Sequence, residues 1–246
     1  GALRDAAIRS LTEDRATYTN FAGIKPLREQ IIRRMRERYD LSYEMDEVVV
    51  TVGSSMAYTS TLMTLIDPGD EVELILDLMA DHQVELAAIL LTHAHMDHIS
   101  GISRVRQKYD TPIYLHPQDR PLYEALPKQA EFFGFRHAAA PPVDQALTDY
   151  QILRLAGIQF KVHFTPGHSP GHVCLEAGNH VFCGDVVFQG SIGRTDLPGG
   201  SYEVLMQSIQ ERLLPLGDDR ILYPGHGPQT TIGQERRTNP FLAGPV

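Results

Sequence analysis

The sequence predicts an α/β protein whose strands end at a cluster of metal-ligating side chains. Three observations carry this. From about residue 47 onward, short strand-like apolar runs alternate with longer helical patterns. THAHMDH, residues 92–98, puts three histidines and an aspartate into six consecutive positions at the end of an apolar run. Three more ligand-type residues, His168, Asp185 and His226, each sit on a glycine-containing loop just after a strand-like run.

Residues 1–45 read as helical and polar. In KPLREQIIRRMRERYDL, Leu27, Ile31, Ile32 and Met35 recur at helical spacing, with a basic, solvated opposite face. Pro26 suits a first helical turn. EVVVTVG (47–53) reads as a strand ended by Gly53. Ser54 suits the cap of a helix running to Ile66, but Thr59, Thr61 and Thr64 equally permit a strand. EVELILDLMADHQ reads as an amphipathic helix, and AAILLTHAH as a buried strand entering the histidine loop.

Beyond that loop, ISGISRVRQKY reads as helix, PIYLHP as a short strand, and PLYEALPKQAEFFGF as helix and loop. QILRLAGIQFKVHFTPGH reads as a strand pair around Ala156-Gly157, and HVCLEAGNHVFCGDVV as a second pair turning at Ala177-Gly178-Asn179. YEVLMQSIQERLLPL is an amphipathic helix, and RILYPGHG is expected to be the last strand. There is no internal repeat and no low-complexity linker.

At 246 residues the chain has room for one large domain or two small ones. It is 42% hydrophobic and 22% charged, as in ordinary globular proteins. A formal net charge of -9 argues against nucleic-acid binding, which needs a basic surface. No apolar run approaches the roughly 18 residues of a membrane span, so no membrane partner is expected. GALRDAAIRSLTEDR lacks the apolar core of a signal peptide. Cys174 and Cys183 are the only cysteines; they could pair, but two thiols point rather to a reducing, cytoplasmic setting.

His93 and His95 lie two apart at a strand end, so their side chains leave on one side. His93, His95 and His168 make one set of three ligands; Asp97, His98 and His226 make another; Asp185 can bridge them. Such a count suits two divalent ions with an open position, the mark of a catalytic site. His172 reads as a supporting residue, while His82, His116, His137, His163 and His180 are isolated and take no role.

THAHMDH, TPGHSPGH, GDVVF and YPGHG, in this order, resemble the metallo-β-lactamase superfamily. GSIGRTDLPGG and GPQTTIGQERRTNPFL resemble its short glyoxalase II-like members, hydrolases of the hydroxyacylglutathione type. The likeness runs from about Leu65 to Leu242. It implies an αββα sandwich with the metals at one edge of the sheets, two divalent ions, with zinc expected and iron or manganese as alternatives, and hydrolysis of a glutathione-derived thioester. A hydroxide bridging the ions would attack the carbonyl, with Asp97 as ligand and as the acceptor that orients it. The resemblance also implies that Arg194, nine positions after Asp185, contacts the glutathione carboxylate; a salt bridge to Asp196 is the other reading of that arginine. A mononuclear iron persulfide dioxygenase of the same fold, another superfamily hydrolase and an inactive fusion stay open beside it.

Residues 1–72 resemble something else. YTNFAGIKPLREQIIRRMRERY and EVVVTVGSSMAYTSTLMTLIDPGDEV are similar to the N-terminal part of fold-type I pyridoxal-phosphate aminotransferases. The two resemblances share residues 65–72, which divides the chain into an aminotransferase-like fragment at 1–64 and a hydrolase domain at 65–246, an apparent chimera. The segments that would bring the cofactor-binding lysine and its partners are missing, so no functional pyridoxal-phosphate site is expected. The hydrolase's opening strands are also missing, and the helical N-terminal segment, with the strand near 47–52, stands in their place.

Overall fold

The structure is a computed structural model that describes residues 25–39, 66–69, 72–81, 86–155 and 157–243. The chain divides into two units, Gly1–Tyr58 and Thr59–Val246. In the first, helix α1 spans Lys25–Tyr39 with Pro26 in its first turn. Ile31 and Ile32 are half-buried while Glu29, Gln30, Arg33 and Arg34 are exposed, but Arg28 is buried, so the basic side chains are not all solvated as expected. The expected strand at 47–53 and most of the Ser54–Ile66 segment lie outside the described residues.

The second unit is built from two sheets. Helix α2 (Val72–Asp81) precedes β1 (Ile89–Leu90), the short helices α3 (Met96–Ile99) and α4 (Ile102–Lys108), β2 (Ile113–Leu115), α5 (Arg120–Glu124), α6 (Leu126–Phe132) and β3 (Gln145–Ala146). The three strands form a parallel sheet in the order β1-β2-β3, and Ile66 adds a parallel bridge to Leu90 at its edge. Ile66 is therefore extended, not the end of a helix.

Next come β4 (Ile152–Leu155), β5 (Ile158–Phe164), β6 (Val173–Ala177) and β7 (His180–Gly184). The small hairpin β8 (Val187–Phe188) and β9 (Ser191–Ile192), α7 (Tyr202–Ser208), β10 (Ile221–Pro224), β11 (Thr230–Thr231) and α8 (Ile232–Thr238) complete the order. The second sheet runs β11-β10-β7-β6-β5-β4. The strand ending in His226 is thus not the last, because Thr230–Thr231 folds back antiparallel on Ile221–Leu222.

Strand alternation sorts the core into three layers. Ile89, Leu91, Ile113 and Leu115 face α2, α4 and α6 through Val72, Leu76, Val105 and Leu126. Ala88, Leu90 and Tyr114 turn the other way, onto Val173, Leu175, Phe182 and Tyr223 of the second sheet. Cys174, Val181, Cys183 and Leu222 leave that sheet's far face and pack on Leu205, Ile209 and Ile232. The layers are helices, sheet, sheet, helices, the αββα order that the motifs imply. Burial on both faces explains why 88–91 is a continuous apolar run rather than an alternating one. Cys174 and Cys183 are fully buried free thiols on adjacent strands.

Candidate metal centre

The histidine loop leaves β1 at Leu91 and turns into α3 at Met96. Three neighbours hold it. Val173 donates its backbone N–H to the Thr92 carbonyl at 2.8 Å, tying the loop to β6. Gln129, on α6, donates to the Ala94 carbonyl at 2.9 Å and accepts from the Met96 N–H at 3.1 Å. Asp119, fully buried, accepts from the Ala94 N–H at 3.0 Å, the Ser169 hydroxyl at 2.7 Å and the Gly171 N–H at 2.5 Å. That one carboxylate joins the 93–98 loop to the 165–172 loop. Burial pushes it up from the ordinary aspartate range, and the three donors oppose the shift.

The loops bring the expected residues together. One nitrogen each from His93, His95 and His168 lie within 4.8 Å of one another. The same holds for ligand atoms of Asp97, His98 and His226. Asp185 stands between the sets: one oxygen is 3.5 Å from His98 Nε2, the other 3.5 Å from His168 Nε2 and 3.6 Å from His226 Nε2. His98 Nε2 and Asp185 Oδ1 are buried and have no hydrogen-bond partner. Buried polar atoms are rarely left so, and a cation held between the groups would satisfy both. Histidine nitrogens and carboxylate oxygens in this proportion suit zinc, iron or manganese.

The network also sets the histidine tautomers. His168 donates from Nδ1 to the Arg194 carbonyl at 2.8 Å, which leaves its Nε2 as a lone pair facing His93 and His95. Asp67 accepts from the Thr92 N–H at 2.7 Å and from the Thr92 hydroxyl at 2.5 Å. With its own proton committed to Asp67, the Thr92 hydroxyl accepts from His93 Nδ1 at 3.0 Å. Asp67 also accepts from His98 Nδ1 at 3.1 Å. It stands within ligating distance of His93 and His98, but both its oxygens are already taken.

Burial lowers the pKa of His93, His95 and His168, bringing His95 to about 4, so these rings are neutral at pH 7. Burial also disfavours a charge on His98, but the Asp185 and Asp67 carboxylates outweigh it and raise His98 well above the ordinary value. Burial pushes Asp97 upward, yet the hydrogen bond from His226 at 3.0 Å and the charge on His98 hold it far below the carboxylate range. His172 is buried and accepts from the Asp185 N–H at 3.1 Å, so it supports the backbone of the central carboxylate.

A cleft of about 540 Å³ opens onto the centre; His95, Asp97, His168, Asp185, His226 and Arg194 all line it. Arg194 makes a bidentate pair with Asp196, both bonds 2.7 Å, so both readings of this side chain have a physical basis. Of the isolated histidines, His116 stacks on Phe164, His163 pairs with Glu176, His180 with the Tyr223 hydroxyl and His137 with the Ser100 carbonyl. His82 lies outside the described residues. Asp67, Thr92, Asp119 and Gln129 are the supporting residues that motif spacing does not single out.

The chain matches the model of the metallo-beta-lactamase superfamily over residues 54–226. Residues 2–75 match the model of aminotransferase class I and II. Hydroxyacylglutathione hydrolase GloC of Haemophilus influenzae is 44% identical over 187 residues, covering 72% of this chain and 86% of that one. Among solved structures, BLEG-1 B3 metallo-beta-lactamase is 43% identical with a TM-score of 0.69, covering 73% of this chain and 88% of that one. TTHA1623 in a di-iron-bound form is 47% identical with a TM-score of 0.67, covering 72% and 88%.

Proposed function

The chain belongs to the metallo-β-lactamase superfamily, and from that premise we propose a thioester hydrolase of the glyoxalase II type, converting an S-hydroxyacylglutathione to a hydroxy acid and glutathione. The observation that carries this reading is the Asp185 carboxylate, placed between two three-ligand sets with its buried Oδ1 unpartnered. The kinship with a hydroxyacylglutathione hydrolase supports the substrate class.

In this reading His93, His95 and His168 would hold one divalent ion and Asp97, His98 and His226 the second, with Asp185 placed between the two sets. Bound there, such ions lower the pKa of water toward 7 and polarise a carbonyl oxygen. The chain's own groups do the rest. His93 and His168 are neutral and present a lone pair inward, because the Thr92 hydroxyl and the Arg194 carbonyl take their other protons, and Asp67 turns His98 Nε2 toward Asp185. Asp97 is held ionised at the cleft wall, where it can accept a hydrogen bond from the attacking water and orient it, while the water's proton passes to solvent. The water oxygen bonds to the carbonyl carbon, the C–S bond breaks, and its electron pair leaves on sulfur. A thiol with a pKa of about 8.5 leaves without an acid catalyst. Arg194 at the cleft wall can meet a substrate carboxylate if Asp196 yields part of its guanidinium.

Elemental analysis of the purified protein with a thioester assay tests the reading. Two equivalents of metal and hydrolysis of S-lactoylglutathione are expected, both lost in Asp185→Ala and in His95→Ala. One equivalent, all iron, with oxygen consumed on glutathione persulfide would replace the hydrolase by the dioxygenase. No metal taken up at all would overturn the site.

A further inference from the structure

We propose that Phe133 and Phe135 determine specificity, forming an apolar wall that receives the acyl group, so that thioesters of aromatic or bulky hydroxy acids are preferred to small ones. The assignment to an acyl group rests on the hydrolase reading above.

The argument begins at the end of α6. The chain reads FFGF from Phe132 to Phe135. Gly134 has φ +81°, and a side chain added there would touch nothing, so the glycine serves the backbone conformation. The Gly134 N–H donates to the Glu131 carbonyl at 3.0 Å and the Phe135 N–H to the Ala130 carbonyl at 2.8 Å. This is a Schellman motif, which fixes the residues on either side of its glycine. It sets two phenyl rings at the cleft wall, Phe133 48% and Phe135 63% exposed.

Large apolar side chains left in water are unfavourable unless something covers them. These two directly follow the helix that carries Gln129, whose amide is spent on the Ala94 and Met96 backbone of the metal loop. The rings are therefore placed in fixed relation to the ligands, and Gln129 has little polarity left to offer a substrate. Met96 continues the wall from the loop, and Phe188, Ile192 and Leu197 line the same cleft from the β8–β9 region. Arg194 is the one arginine or lysine lining the cleft among the described residues. A thioester has two arms. The thiol arm of a glutathione ester carries the charge and belongs with Arg194. The uncharged acyl arm is left for the phenylalanines, where burial and ring contact favour an aryl group.

Calorimetry with two uncleavable thioethers tests the wall without catalysis. S-benzylglutathione should bind the metal-loaded protein about tenfold tighter than S-methylglutathione. In Phe133→Ala/Phe135→Ala that preference should vanish with metal content unchanged, and Phe133→Leu should keep most of it. Equal binding to the unaltered protein, or a preference that survives the double substitution, overturns the proposal. In turnover, kcat/KM for S-mandeloylglutathione relative to S-lactoylglutathione should fall about tenfold in the double variant. Benzyl preference without hydrolysis of either thioester would leave an apolar subsite but remove its acyl role, and the hydrolase reading would fail separately.

Discussion

Asp67 accepts a hydrogen bond from Nδ1 of His98 at 3.1 Å. A carboxylate can only accept, so Nδ1 carries a proton, and Nε2 is the ring atom turned toward Asp185 and Asp97, free to lose its proton to a bound ion. Asp67 lies in the stretch 65–72 shared by the two family resemblances, and it orients His98 at the centre. In Asp67→Asn the amide oxygen can still serve the Thr92 N–H, but the NH₂ group then faces His98 and favours the wrong tautomer. Affinity for the ion assigned to Asp97, His98 and His226 should fall 10–100-fold. Titration against a chromophoric chelator reads this as one weakened equivalent out of two. Two equivalents of unchanged affinity would remove Asp67 from the assembly.

Gly225 comes as close to the centre as Asp67, for a different reason. A Cβ at this position would run into Asp185 Oδ1 and lie 2.6 Å from the His98 ring. Only a glycine lets the strand end pass behind the Asp185 carboxylate. Gly225→Ala should displace Asp185 or His98 and strip metal from the protein while the fold persists. Circular dichroism close to that of the unaltered protein, with metal content below about one equivalent, is the expected pair of results. Full metal content would mean that the loop relaxes around the methyl group at little cost.

Much of this centre is legible in the sequence because ligand chemistry is compressed into short, glycine-bearing loops. His93, His95, Asp97 and His98 fall in one turn, and the loops of His168, Asp185 and His226 each follow an apolar run. The supporting residues are not legible, because their partners are far along the chain. Asp119 in HPQD looks like any loop aspartate until the chain returns at Ser169 and Gly171. The two-residue strand β3, exposed at both positions, carries no apolar alternation at all. By contrast α8 had a signal in TTIGQ: Thr231 caps it by accepting from the Gln234 N–H at 3.1 Å. Ile66 pairs with Leu90 because the edge of the first sheet is a tertiary partner that threonine-rich local propensity does not disclose.

Cys174 and Cys183 are cross-strand neighbours inside the layer between the second sheet and its helices. Burial pushes the Cys174 thiol up to about 12 and raises Cys183 as well. The reactive thiolate is therefore scarce at pH 8, and no reagent reaches it in the folded protein. A chromogenic thiol reagent should count about zero groups in the native protein and two in denaturant. Fast modification of either thiol without unfolding would contradict the packing of this layer.

Asp144 holds β2 and the turn before β3 together. It accepts from the Ile113 N–H at 2.9 Å and pairs with Arg106 at 2.6 Å. The Arg106 hydrogen bond, then the Ile113 N–H, holds its carboxyl below the ordinary aspartate value. The folded state thus binds this proton less readily than the unfolded chain. Its contribution is present above pH 4 and is lost as the pH falls through the folded value. The ion pair is partly exposed and adds little, so the backbone hydrogen bond sets the scale at about 1 kcal/mol. Asp144→Asn should lower Tm by about 2–4 °C at pH 7. Because asparagine cannot titrate, that gap should narrow from pH 7 toward pH 3. A gap that stays constant with pH would show that the substitution acts through packing alone.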